Sequence, residues 1–253
     1  TNYVGWQVQP NGPSVQAAVE HAIQKLTGEA VRVAAAGRTD SGVHALGQVV
    51  SFRTGSAIPC DALRNGLQHF LPDDVVVRNA EEAPDDFHAT YSARRKRYRY
   101  VIHNSRVPDP FVQRYAWRVS APLDAAAMDE AARVLVGTHD FRCFESQFPN
   151  KATSIRTVFE ASAGRCSGWP VWDWPQSLIA FPAGAGGGEF VWFDVAADGF
   201  LYNMVRAIVG TLMKVGLGQW TAEDVRTILA RQDRAQAGET APPQGLFLVH
   251  VEY

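Results

Sequence analysis

Ala36-Gly37-Arg38-Thr39-Asp40-Ser41-Gly42-Val43-His44 decides how the rest of the chain is read. It places one carboxylate between an arginine and a glycine in a tight polar loop. The segments on either side are apolar. Ala30-Val31-Arg32-Val33-Ala34-Ala35 reads as a buried strand, and Leu46-Gly47-Gln48-Val49-Val50-Ser51-Phe52 reads as another. An Asp two residues from an Arg can be held ionised and oriented at a strand end, as a nucleophile or base must be. An Asp-Ser-Gly turn closed by a local ion pair fits the same spacing, because structural ion pairs also perturb carboxylates.

Upstream, Val15, Ala18, Val19, Ala22, Ile23 and Leu26 recur at helical steps after Pro13, which predicts a helix stopped by Gly28. Downstream, a short helix is predicted over 61–70 and a strand over 74–79. In the second half, strands are predicted over 95–103, 115–119, 154–161, 190–196 and 246–251. Helices are predicted over 124–136, closed by Gly137, over 201–215, and from Thr221, where Thr221 and Asp224 form an N-cap arrangement. Residues 162–188, with Trp169, Trp172, Trp174 and a Gly-rich end, read as an inserted loop. Helices alternating with hairpin-like strand pairs predict an α+β fold, with helices layered on one face of a sheet.

The 253 residues suffice for one large domain or two packed ones, and 46% hydrophobic with 20% charged residues is the balance of a soluble globular protein. No apolar run is long enough to span a bilayer. The net charge of −2 lacks the basic surplus that most simply marks a nucleic-acid binder. Any such partner is expected on a local patch, for which Arg94-Arg95-Lys96-Arg97-Tyr98-Arg99 is the candidate. Cys60, Cys143 and Cys166 have no C-x-x-C spacing, which argues against a disulfide framework or a thiolate zinc site and fits a reducing compartment. His139 and Cys143 are four apart with no second pair, so no metal is expected. No secretory leader is visible and the chain begins at Thr1; a cytoplasmic location is expected, with an organelle left open.

Gly37-Arg38-Thr39-Asp40-Ser41-Gly42-Val43-His44 resembles the catalytic motif of the tRNA pseudouridine synthase A family. The likeness extends through Val4-Gly5-Trp6-Gln7, Asn11-Gly12-Pro13-Ser14-Val15-Gln16, Phe87-His88-Ala89, Lys96-Arg97-Tyr98-Arg99-Tyr100 and His139-Asp140-Phe141. It continues in Gly199-Phe200-Leu201-Tyr202-Asn203-Met204-Val205-Arg206 and Ala241-Pro242-Pro243-Gln244-Gly245-Leu246. The resemblance implies a pseudouridine synthase fold: two α/β subdomains sharing a long, mostly antiparallel sheet, with the active site in a central cleft. The N-terminal subdomain is expected over 1–85 and the C-terminal one over 86–253. Family members carry a further strand ahead of the segment matching Thr1–Gln7, so the first strand is expected to be missing here.

The implied reaction isomerises uridine to pseudouridine in the tRNA anticodon stem-loop, on a flipped-out nucleotide and without a cofactor. Asp40 would be its reacting carboxylate, by attack at C1′, addition to the uracil ring or deprotonation at C2′. Tyr98 would stack on the base and assist loss of the C5 proton; on the residues alone it reads as a packed strand tyrosine. Arg206, the only charge from Leu201 to Ile208, would pair with Asp40 and keep it ionised, where the bland alternative is an outward-facing surface arginine. Arg38 would clamp a phosphate and Leu246 would line the uracil pocket. Phe87, His88, Tyr91, Asn150 and Lys151 match segments near the tRNA, although Thr90 stands where the family usually has Arg. The family also implies a homodimer.

Two other readings compete. Asp40-Ser41-Gly42 resembles the triplet of aspartic proteases, but those enzymes need two such carboxylates and no second triplet occurs. A non-catalytic tRNA-binding or folding-assistant protein of the same fold would not need Asp40, Tyr98 and Arg206 together.

Overall fold

Ser14 begins the first ordered element. Its side chain accepts a hydrogen bond from the Ala17 amide and caps helix α1 (Val15–Thr27), which ends at Gly28 in the left-handed conformation, φ 78°. In this computed structural model the described residues are 2–146, 153–171 and 188–253. They form two compact units, Thr1–Arg94 with Val251–Tyr253, and Arg95–His250.

In the first unit the apolar stripe of α1 meets helix α2 (Cys60–Phe70), and Ala22, Ile23, Leu67, Leu71, Trp6 and Val33 form the core. Gly66 lets the helices approach, since a Cβ there would lie 2.7 Å from Leu26 Cδ1. The two strands expected around the Asp40 loop shrink to β1 (Ala34–Ala35) and β3 (Val50–Ser51), with β2 (His44–Ala45) between them in sequence. The Ala36 amide extends the pairing to the Val49 carbonyl, and side chains satisfy further backbone groups. Val33 donates to Glu20 Oε1 at 3.1 Å, and Gln48 both accepts from the Gly37 amide and donates to the Gly37 carbonyl. The strand expected over 74–79 is not one either. The Gln68 side chain on α2 holds the Val75 carbonyl and the Val77 amide, doing for this segment what a neighbouring strand would.

The second unit is built on β4 (Arg95–His103), buried through most of its length. It pairs antiparallel with β8 (Phe190–Ala197), from Lys96↔Ala197 to His103↔Phe190. Then follow β7 (Ile155–Cys166) and β6 (Gly137–Asp140), both antiparallel, while β9 (Leu246–Glu252) flanks β4 on its other side. The short β5 (Trp117–Arg118) joins β4 in parallel. Helix α3 (Ala125–Arg133) packs on β7, and α4 (Met204–Gly216) and α5 (Ala222–Arg231) pack on α3. The Thr221–Asp224 arrangement is a full capping box.

Three boundaries differ from expectation. Helix α3 stops at Arg133, and Gly137 does not close it but opens β6 at φ 118°. Helix α4 starts at Met204 because Asn203 takes a left-handed conformation, φ 61°. Residues 162–166 of the loop read over 162–188 are strand instead, because β7 runs on to Cys166 opposite Phe190. Gly164, which looks like a loop residue, is a strand residue that receives an indole: a Cβ there would sit 2.5 Å from Trp192 Cζ2. Trp169 packs edge-on against Phe190, with centroids 5.5 Å apart, whereas Trp172 and Trp174 lie outside the described residues.

Three of the five cations in the run Arg94–Arg99 are paired within the fold. Arg95 and Arg97 both bind Glu160 across the sheet. Arg99, 3% exposed, makes two 2.6 Å bonds to Asp194, 5% exposed, and also donates to the Pro170 carbonyl. Arg95, Arg97 and Arg99 are thus tied into the sheet, while Arg94 is exposed.

Burial also governs the cysteines. It pushes the Cys143 thiol up to about 12 and Cys166 up to about 11. In the unfolded chain such thiols ionise near pH ~8.5. A folded-state value above the unfolded one contributes stability that is present below that pH and is lost as pH rises toward the folded value. The urea midpoint is expected to fall between about pH 8 and about pH 11, and less so in Cys143→Ala relative to its own neutral value. Equal midpoints at both pH values would show that the thiols are not shielded.

Candidate active site

The Asp40 loop is laced to the segment before α1. The Trp6 amide donates to the Thr39 carbonyl at 2.9 Å, Gly5 bridges to Asp40, and Ser41 Oγ donates to the Tyr3 carbonyl. Gly5 is required there: at φ 125°, a Cβ would lie 2.8 Å from the Thr39 carbonyl oxygen. The segment is anchored in turn, since Val15 and Gln16 at the start of α1 donate to the Gly5 and Trp6 carbonyls. Two layers of backbone hydrogen bonds thus hold the Asp40 backbone, and Asp40 is half-buried. Arg38 is exposed, and among the described residues its guanidinium makes no ion pair, so the local Arg38–Asp40 bridge is not formed.

Phe87, His88 and Tyr91 are brought together on one turn of the same unit. The Tyr91 and Ser92 amides donate to the His88 carbonyl, and the Ala89 carbonyl accepts from the Tyr253 hydroxyl at 2.9 Å. Thr90 is structural: its hydroxyl donates to the Ala35 carbonyl on β1 at 2.6 Å, while the Ala89 amide donates to Ser51 Oγ on β3. The turn is therefore fixed to both strands that flank the Asp40 loop. His88 Nδ1 accepts from the Thr90 amide, which assigns the ring proton to Nε2. Tyr91 is 84% exposed and lies 4.4 Å from the His88 ring, an aromatic pair open to a further ring.

Tyr98, Arg206 and Leu246 lie in the second unit. Tyr98 is buried on β4 and meets Phe200 edge-on, centroids 5.0 Å apart. Arg206 is not an outward surface arginine. It is half-buried on α4, where Nε donates to the Ala241 carbonyl at 2.7 Å and a terminal nitrogen donates to Asn203 Oδ1 at 2.8 Å. Leu246 is buried at the start of β9. Asn150 and Lys151 lie outside the described residues.

A strap, residues 238–246, links Arg206 to Leu246. Gly238 donates to Thr211 Oγ1, and the Ala241 amide donates to the Arg206 carbonyl. Between these points the Glu239 backbone lies directly on Gly210 of α4; a Cβ on Gly210 would fall 1.6 Å from the Glu239 carbonyl oxygen. The Tyr100 hydroxyl then donates to the Pro242 carbonyl at 2.7 Å, and Gly245 lies against the Tyr100 ring. Burial raises the Tyr100 hydroxyl far above its ordinary value, with the Arg206 charge opposing. Tyr100 stays a neutral donor.

Sequence reading passed over Asn203 and Tyr100. Asn203 had one usable signal, an amide residue at a helix start. Tyr100 shares the strand face of Tyr98, and nothing in the pattern separates the two roles.

The sequence model of the family described as tRNA pseudouridine synthase matches residues 1–92 and 131–253. The chain belongs to that family. It is 44% identical over 253 residues to tRNA pseudouridine synthase A of Thermoanaerobacter sp. (strain X514), covering 100% of this chain and 95% of that one. The enzyme of the same name from Acetivibrio thermocellus is 45% identical, and that from Moorella thermoacetica 46% identical, each with 100% of this chain and 95% of theirs covered. Within this pseudouridine synthase family member, Asp40, Arg206 and Leu246 fall in the matched residues, and Tyr98 falls between the two matched stretches.

Gly210→Ala tests the strap. The added methyl cannot coexist with the Glu239 backbone, so a loss of about 1–3 kcal/mol in unfolding free energy is expected. Wild-type stability by urea denaturation would mean that the strap does not bear on α4.

Proposed function

We propose that this chain isomerises uridine to pseudouridine in tRNA, within the anticodon stem-loop, and works as a homodimer. The observation that carries this reading is the doubly anchored loop presenting a half-buried Asp40, in a chain of the tRNA pseudouridine synthase family. In the reaction the bond from C1′ to N1 breaks and one from C1′ to C5 forms; C5 loses a proton and N1 gains one. No electron or group donor enters the balance, so the protein need only position the base, supply a carboxylate and move protons.

Asp40 is the reacting carboxylate in this reading. Loop rigidity suits it, because a near-attack geometry held in advance lowers the entropic part of the barrier. Tyr98 faces the flipped base and assists loss of the C5 proton. Arg206 supplies the positive charge that keeps the carboxylate ionised. Leu246 closes the uracil pocket, and Arg38 takes a phosphate, a role suited to an exposed guanidinium with no ion pair of its own. Phe87, His88, Tyr91, Asn150 and Lys151 contact the RNA further out, with the His88–Tyr91 pair stacking on an unpaired base.

The deciding assay is tritium release from a tRNA transcript carrying 5-³H-uridine, since the label leaves only when C5 becomes the glycosidic carbon. Wild type is expected to release it. Asp40→Asn should release none while binding RNA within about tenfold of wild type, because the change removes the reacting group and little surface. Near-normal turnover in Asp40→Asn would discard its assigned role. A folded wild-type protein that binds tRNA without releasing label would favour a non-catalytic binder.

Arg206→Ala should lower turnover and move the acidic limb of the rate profile to higher pH. A carboxylate without its cation ionises later, and the rate follows the ionised form. An unchanged limb would remove Arg206 from this role.

A further inference from the structure

Asn203 adopts a backbone conformation that few non-glycine residues take, φ 61°, immediately before α4. Its carbonyl accepts the Ala207 amide, but its side chain makes no helix cap. The amide group is used on both sides instead. Oδ1 accepts from the Arg206 guanidinium at 2.8 Å, and Nδ2 donates to Ser146 Oγ at 2.8 Å. Ser146 is itself fixed, its backbone amide donating to the Tyr202 carbonyl at 3.1 Å. Arg206 Nε is held at the opposite side by the Ala241 carbonyl at 2.7 Å.

A guanidinium has a planar fork of donors, and two acceptors at different nitrogens fix both its position and its plane. Asn203 supplies an acceptor beside Ala241, and its left-handed backbone aims Oδ1 back at a side chain only three residues on. The geometry points to Asn203 as a positioning residue. It fixes the plane of Arg206 and ties that guanidinium, through Ser146, to the end of the segment that follows β6. This inference rests on the catalytic reading of Arg206 given above.

Glycine takes φ near +60° without steric cost, so Asn203→Gly keeps the turn and removes only the amide. Asn203→Asp keeps an acceptor at the Oδ1 position. Single-turnover tritium release, tRNA affinity by filter binding and thermal midpoint are measured for both variants and for Arg206→Ala. Expected for Asn203→Gly are a rate at least about tenfold lower, affinity within about twofold and a midpoint near wild type. Asn203→Asp should recover the rate to within about fivefold of wild type. Overturning the inference takes either a wild-type rate in Asn203→Gly, or equal losses of rate and midpoint in both variants, which would mark a turn residue and nothing more. The reading of Arg206 fails separately, through normal turnover in Arg206→Ala.

Discussion

The contact between Gly210 and the Glu239 backbone is the constraint on which the second unit's functional side chains depend. A helix normally keeps other backbone at a distance set by its side chains. Here a helix glycine removes that distance, and a strap of chain lies directly on the helix cylinder. With the strap seated, its polar groups fall opposite two helix positions five residues apart: Gly238 at Thr211, Ala241 at Arg206. The strap then delivers Pro242 to the Tyr100 hydroxyl and Leu246 to the start of β9. One missing methyl thereby bears on where Arg206, Tyr100 and Leu246 stand. Buried backbone groups must find partners, and in this strap they include Thr211, Arg206 and Tyr100.

The first unit solves a related problem by other means. Its Asp40 loop is flanked only by the two-residue strands β1 and β3, with Gly42 in the left-handed region at φ 84°. Order comes instead from bonds to sequence-distant elements: residues 3–6 on one side, Gln48 on another, and the turn holding Phe87, His88 and Tyr91 on the flanking strands. Thr90 shows how closely this is built. Where the family usually places an arginine, a short hydroxyl ties the turn to β1, and the same residue's amide sets the His88 tautomer. Thr90 thereby adds rigidity beside an exposed aromatic pair.

Elements with strong periodicity were legible in the sequence. Helix α1 follows its apolar stripe from the Ser14 cap to Gly28, and β4 spans the predicted residues from Arg95 to His103. Elements defined by side chain to backbone bonding were not. Residues 74–79 alternate like a strand, yet one glutamine on α2 takes the hydrogen bonds that would have paired them. Strand β6 is Gly-Thr-His-Asp, with no apolar alternation to announce it, and it exists because β7 offers an edge. Gly164 signals a turn in sequence and a ring-packing site in space. At the site, the motif marked Asp40 and Arg206, but two acceptors of the Arg206 guanidinium are an asparagine in an unusual conformation and a main-chain carbonyl. The asparagine offers only the weak signal of an amide residue at a helix start, and the carbonyl offers none.

Charge behaves in the same way, and this bears on how an acidic chain handles RNA. Five cations in six residues suggested an electrostatic footprint, yet three of them are absorbed by Glu160 and Asp194. The Arg99–Asp194 pair is buried, so it organises the sheet beneath Trp192 and adds nothing to the outside field. Cations spent on structure cannot also attract phosphates. In the reading proposed above, recognition rests on groups of another kind: exposed guanidinia such as Arg38, and exposed rings such as Tyr91, set at a tilt against His88. Stacking favours unpaired, splayed-out bases over duplex backbone. A reaction that must first take a uridine out of its stack needs that preference more than it needs net positive charge.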